Sequence, residues 1–126
     1  MLDHMTFRVR DLAATRRFYE AALAPLGYKL GHEGEHDGVR MLGFAHDGRF
    51  DTWFVEAPDD ASGPTHLAWH AASRDAVDAF YSAAIASGGR DNGPPGLRPH
   101  YHAHYYGAFV LDPDGNNVEA VCHETR

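Results

Sequence analysis

A chain of 126 residues with 18 acidic and 11 basic side chains, net charge −7, lacks the basic surface that nucleic acid or an anionic membrane requires. Its hydrophobic content of 44% is that of an ordinary globular protein, and its length fits one domain spanning residues 1–126. The lone Cys122 cannot form an intrachain disulfide, and no apolar run approaches the ~20 residues of a membrane-spanning helix. Polar residues follow Met1-Leu2 at once, so no signal peptide is expected and a cytoplasmic location fits.

His4 opens an alternating run in which Met5, Phe7 and Val9 share one face and His4, Thr6 and Arg8 the other, the pattern of a half-buried strand. Asp11 is positioned as a helix N-cap. Leu12, Tyr19, Leu23 and Leu26 then recur at near-helical spacing, until Pro25 weakens the last turn and Gly27 ends it. Tyr28 to Leu30 reads as a short strand and Gly31 to Gly38 as a polar turn region. Val39 to Ala45 and Asp51 to Glu56 read as a hairpin around Asp47-Gly48. Residues 58–64 form a linker of turn-forming residues, dividing a first module (about 1–57) from a second (about 65–122).

The second module opens on His66, whose strand-like run places Leu67, Trp69 and Ala71 on one face and His66, Ala68 and His70 on the other. Ser73 caps a helix with Val77, Phe80, Tyr81, Ala84 and Ile85 on one side, stopped by Gly88-Gly89. Asn92 to Tyr106, rich in Pro, Gly, His and Tyr, reads as a functional loop with a short strand. Ala108 to Leu111 and Asn117 to Cys122 form the last hairpin, around Asp112-Pro113-Asp114-Gly115.

The two halves repeat one plan. His66 follows His4 by 62 residues, Phe80-Tyr81 repeats Phe18-Tyr19 at the same offset, and each half ends in a strand bearing a glutamate, Glu56 or Glu119. The fold class expected is α+β, with two tandem βαβββ modules. Two histidines and two glutamates at matching places suggest a metal site where the copies meet. Glu119, between Val118 and Ala120, sits in an apolar strand where an uncompensated carboxylate is costly, so a cation should accompany it.

The His4 strand, the segment DLAATRRFYEAALAPLG, the run THLAWH and the closing DPDGNNVE together resemble the vicinal oxygen chelate superfamily, which includes glyoxalase I, extradiol dioxygenases and bleomycin resistance proteins. The resemblance implies a curved mixed sheet around a cleft holding one divalent ion (Zn, Ni, Mn or Fe(II)). His4, His66 and Glu119 would be its ligands, with Glu56 as a fourth in the glyoxalase I manner. Such a 2-His-1-carboxylate set leaves open positions for substrate oxygens. The ion would stabilise an enediolate-type oxyanion while Glu56 or Glu119 moves a proton.

Phe54 shares a strand face with Glu56 and is expected to line the cleft. His102, with His100 and His104, belongs to a segment that would contact substrate or cover it. Arg98 suits a carboxylate or phosphate on the ligand, and Tyr106 is a further donor. Extradiol enzymes carry a tyrosine where this chain has Phe109, which disfavours catechol cleavage. The resemblance implies a homodimer acting on a small molecule, with substrate unspecified and no glutathione-binding basic cluster. The rival reading is a metal-free binding protein of the bleomycin-resistance kind.

Overall fold

The computed structural model describes residues 1–125. Each half of the chain builds one four-stranded sheet covered by one main helix. In chain order the elements are β1 (Met5–Val9), α1 (Leu12–Leu23), a 3₁₀ turn (Ala24–Leu26), β2 (Tyr28–His36), β3 (Val39–His46) and β4 (Arg49–Glu56). The second half contributes β5 (His66–His70), α2 (Arg74–Ala86), β6 (Arg90–Leu97), β7 (Tyr106–Leu111) and β8 (Asn117–Cys122). The sheets run β1-β4-β3-β2 and β5-β8-β7-β6, so the two halves have the same topology. In each, the first and last strands are parallel neighbours and the remaining pairs are antiparallel.

Local chemistry accounts for the element boundaries. The Asp11 side chain accepts the Ala14 N–H and the Ser73 hydroxyl accepts the Ala76 N–H, satisfying donors that each helix start leaves free. The β3–β4 connection is a two-residue turn in which Asp47 and Gly48 both have positive φ, 51° and 76°; its twist matches that of the strands it joins.

Two regions depart from the sequence expectation. The polar stretch 31–36 belongs to β2, because edge-strand pairing to β3 needs no apolar alternation; only Asp37-Gly38 turns. Residues 90–97 form β6 despite Pro94 and Pro95. The β6–β7 register skips between Gly93 and Gly96, so the two prolines occupy an irregular part of an edge strand where their missing N–H groups are not needed.

The helices pack on each other and close one continuous core. Phe18, Tyr19 and Leu23 of α1, Val77 and Phe80 of α2, Phe44 and Phe54 of the first sheet, and Val110, Val118 and Ala120 of the second are all buried in it. The loop between β7 and β8 reaches across to the first half. The Tyr19 hydroxyl donates to Asp112 at 2.5 Å, and Arg10 donates from its backbone N–H and guanidinium to Asp114 at 3.1 and 2.9 Å. Burial, with Asp112 beside it, holds the Tyr19 phenol well above its ordinary pKa, so it stays a donor. Among the described residues no helix is long and apolar enough to cross a membrane.

Candidate functional site

Strand alternation divides each sheet into a helix-facing side and an outer side. On β8, Val118, Ala120 and Cys122 are fully buried in the core, which turns Glu119 to the outer side. Glu119 is nevertheless only 1% exposed, because β8 is an inner strand flanked by β5 and β7 and side chains from both cover it. His66, at the start of β5, brings Nε2 to 3.1 Å from Glu119 Oε1. Phe109, directly opposite Glu119 on β7, stacks on the His66 ring with centroids 6.2 Å apart. Tyr105 donates its hydroxyl to the other carboxylate oxygen, Oε2.

The imidazole's orientation follows from its second nitrogen. Nδ1 of His66 lies 3.0 Å from the Asn117 carbonyl, which can only accept, so Nδ1 carries hydrogen. A neutral ring then aims the Nε2 lone pair at a buried carboxylate, and that contact is repulsive unless positive charge lies between them. A proton on Nε2 or a metal cation supplies it. Either satisfies the pair, and an imidazole nitrogen and a carboxylate oxygen are donor types that a divalent ion accepts. Imidazole nitrogen and carboxylate oxygen converge, each is oriented by a partner on its far side, and histidine ligands are commonly held in this way.

The two halves supply different residues at this position. His66 sits two residues before Ala68, which pairs with Glu119. In the first half, His4 sits two residues before Thr6, which pairs with Trp53. The counterpart of Glu119 is therefore Trp53, and the counterpart of Glu56 is Cys122. Glu56 falls on the helix-facing side of β4, where it accepts the Leu12 N–H at 3.0 Å and two bonds from the Arg40 guanidinium, each 3.0 Å. The Arg40 pair first, and the Leu12 N–H second, hold its carboxyl below the usual range. Glu56 thus caps α1 and stands apart from His66 and Glu119.

The remaining expected residues divide similarly. Arg98 places its guanidinium 5.3 Å from the Phe109 ring centre, next to the His66–Glu119 pair, and donates to the Gly96 and Pro94 carbonyls. His102 packs edge-on against Tyr105 at 5.4 Å and bonds to His123 at 2.7 Å, at the rim of the same face. Phe54 is buried against Tyr19, with ring centres 4.5 Å apart, so it belongs to the core and not to the outer side. Tyr106 donates to Asp78 of α2 and receives the Arg74 guanidinium over its ring, which also turns it away from Glu119.

His4 bonds to Asp3 at 2.7 Å and is half-exposed. It lies at the opposite end of β1 from Arg10, and Arg10 is the residue held by the β7–β8 loop that leads into β8 beside His66. At ~3.3 Å per strand residue, the length of β1 separates His4 from that end. Among the described residues, no three His, Cys, Asp or Glu side chains of one chain are grouped closely enough to hold a metal ion.

Tyr105 is the site residue that the sequence did not single out. Residues 98–105 form a turn, with the Arg98 N–H bonded to the Tyr105 carbonyl, and this turn delivers the Tyr105 hydroxyl to Glu119. Trp53 was also hidden. Counting from the turn glycine gives the clue: Trp53 is five residues beyond Gly48 and Glu119 four beyond Gly115, whereas Glu56 is eight beyond Gly48.

The profile of the Glyoxalase/Bleomycin resistance protein/Dioxygenase superfamily matches residues 1–120. The chain belongs to this superfamily. A glyoxalase/bleomycin resistance protein from Albidiferax ferrireducens T118 is 29% identical, with a TM-score of 0.72 over 97% of this chain and 98% of that one. A glyoxalase-related enzyme from Fulvimarina pelagi shares the fold at 18% identity, with a TM-score of 0.73 over 97% of this chain and 87% of that one. The V278E mutant of glyoxalase I from Zea mays is 25% identical over 95% of this chain, with a TM-score of 0.69, and this chain spans 45% of its length. No curated protein matches this chain. Within the superfamily fold, the His66–Glu119 pair occupies the outer side of the second sheet and the Trp53 surface that of the first.

Proposed function

We propose that the protein is a glyoxalase-like, metal-dependent enzyme of the lyase or isomerase kind, acting as a homodimer on a small substrate with two adjacent oxygens. The observation that carries this reading is the His66 Nε2 atom facing the buried Glu119 carboxylate while Nδ1 is committed to the Asn117 carbonyl. His66 and Glu119 are the ligands one chain supplies, and His4 of a second copy completes the 2-His-1-carboxylate set. A bound divalent ion would act as a Lewis acid toward the substrate oxygens. Glu119 is the carboxylate positioned to take and return a proton. Tyr105 holds its Oε2, and because burial and Glu119 raise the phenol's pKa, Tyr105 stays protonated across the neutral range. Arg98 and His102 border the same face and suit an anionic or polar end of the substrate.

Metal analysis of the purified protein tests this reading. Stoichiometric divalent ion that is lost in each of His66→Ala, Glu119→Gln and His4→Ala, in a protein that sediments as a dimer, is the expected result. A second reading, metal-free sequestration of a small molecule, is favoured by Trp53 standing where a second carboxylate would complete a four-ligand set. Protein that neither retains nor acquires a divalent ion selects that alternative.

A further inference from the structure

We propose that His123 is a positioning residue: through its bond to His102 it holds the Tyr105 hydroxyl on Oε2 of Glu119, and so reserves Oε1 for the cation between Glu119 and His66. The proposal rests on the reading above, in which Glu119 is a metal ligand. Tyr105 is carried by a segment that burial does not fix, because residues 99–104 are all exposed. Inside it the Tyr101 N–H bonds to the Arg98 carbonyl at 2.9 Å and the Tyr105 N–H to the His102 carbonyl at 3.2 Å. His102 stands where these two tight turns meet, and its side chain ties them to the end of β8.

The tie has a fixed direction. The His104 backbone N–H can only donate, and it lies 3.1 Å from Nδ1 of His102, so that nitrogen accepts and Nε2 carries the hydrogen. Nε2 then donates to Nδ1 of His123 at 2.7 Å, and the two imidazoles stack with centres 4.9 Å apart. Together they wall in Tyr105, whose ring meets each of them nearly edge-on at 5.4 Å. The β7–β8 ladder ends where Tyr106 pairs with Cys122, so Tyr105 and His123 face each other one step beyond it. The phenol reaches Glu119 across Gly107. A Cβ there would stand 3.2 Å from Tyr105 Cε1 and 3.2 Å from Glu119 Oε2, so the ring lies over a residue with no side chain. A hydrogen-bond partner on the far oxygen is what orients a ligating carboxylate, and here that partner is itself held by the two histidines.

Two measurements on the full-length protein test the clamp: Zn(II) affinity by calorimetry, and the NMR signal of the Tyr105 ζ-carbon in protein carrying isotope-labelled tyrosine. The Tyr105 signal is identified by its absence in Tyr105→Phe. The expected result for His123→Ala is a folded protein whose Tyr105 signal moves toward that of a water-exposed phenol and whose Zn(II) binding weakens about tenfold, the low end of what losing an orienting partner costs. His123→Asn, whose amide oxygen can accept from His102 in place of Nδ1, restores both. Because the two residues act in one chain of contacts, His123→Ala combined with Tyr105→Phe weakens Zn(II) binding no more than Tyr105→Phe alone. An unmoved Tyr105 signal in folded His123→Ala, no recovery in His123→Asn, or additive losses in the double variant overturns the clamp. A parent protein that binds no Zn(II) counts against the metal reading, and the Tyr105 signal in the same variants then decides the clamp by itself.

Discussion

At position 119 the second module presents a buried carboxylate, and at the matching position, 53, the first presents an indole. Their cross-strand neighbours are exchanged in size: Gly43 pairs with Trp53, and Phe109 pairs with Glu119. One backbone plan thus carries two different outer faces, because a sheet position needs a large side chain on only one of two neighbouring strands to be covered. The helix-facing sides stay alike, since both must fill one core. The loops closing the last hairpins also differ. Asp47-Gly48 is a minimal turn with the Asp47 side chain 92% exposed, whereas Asp112 is buried and joins the second module to α1 of the first. The lesson is that divergence between the halves is concentrated where the core does not constrain it.

The clasp offers the sharpest break. Asp112 accepts from the Tyr19 hydroxyl, the Asn116 side chain and the backbone N–H groups of Asp114 and Asn116. Removing it in Asp112→Ala strands several buried donors and should cost about 3 kcal/mol in urea unfolding. Asp47→Asn in the opposite turn should change stability by less than about 0.5 kcal/mol. Similar costs for the two would mean that the turns are interchangeable.

Exchange of the outer-face residues comes next. Glu119→Gln should weaken Zn(II) binding by about 100-fold or more, since losing only a group that orients a metal ligand already costs ~10–100-fold. Trp53→Glu places a carboxylate at the equivalent position and should strengthen Zn(II) binding, by about tenfold, in the same calorimetric assay. Weaker binding in Trp53→Glu would show that the two positions do not face a common site.

The glycine beneath the Trp53 ring predicts a smaller effect. Gly43→Ala should lower stability by about 2 kcal/mol, because the added methyl meets the Trp53 ring at 2.6 Å and the ring must leave the sheet. Calorimetric melting of Gly43→Ala in the parent and in Trp53→Ala checks this, and the penalty should disappear in the second background.

Glu56 gives the smallest effect and the clearest pH signature. Its folded carboxyl titrates below the unfolded value of ~4.3, so its stabilisation is complete above that pH and fades as pH falls through the lower folded value. Glu56→Gln should therefore cost about 1 kcal/mol at neutral pH, comparable to losing a helix cap, and nothing once the parent carboxyl is protonated in acid. A difference that persists unchanged into acid would contradict the Arg40 and Leu12 contacts as its source.

Much of this molecule could be read before folding. Helix caps at Asp11 and Ser73, the first and last strands of each half and the duplicated plan all follow from local chemistry. His66 and Glu119 were legible as a pair because one opens a strand and the other interrupts an apolar one. Glu56 and Phe54 were not, because a strand's register relative to its partner cannot be counted through loops of unequal length, and a slip of one residue reverses the face.

Residue order fixed two βαβββ units and a carboxylate that needs a positive partner, since periodicity and turn chemistry act over a few neighbouring residues. Tertiary structure decided which residues stand opposite one another. Strand pairing placed Trp53, and not Glu56, at the match to Glu119, a turn delivered Tyr105 to the carboxylate, and helix packing left His4 at the far end of β1 from the β7–β8 loop. These are contacts between distant segments, and their geometry depends on the whole core closing at once.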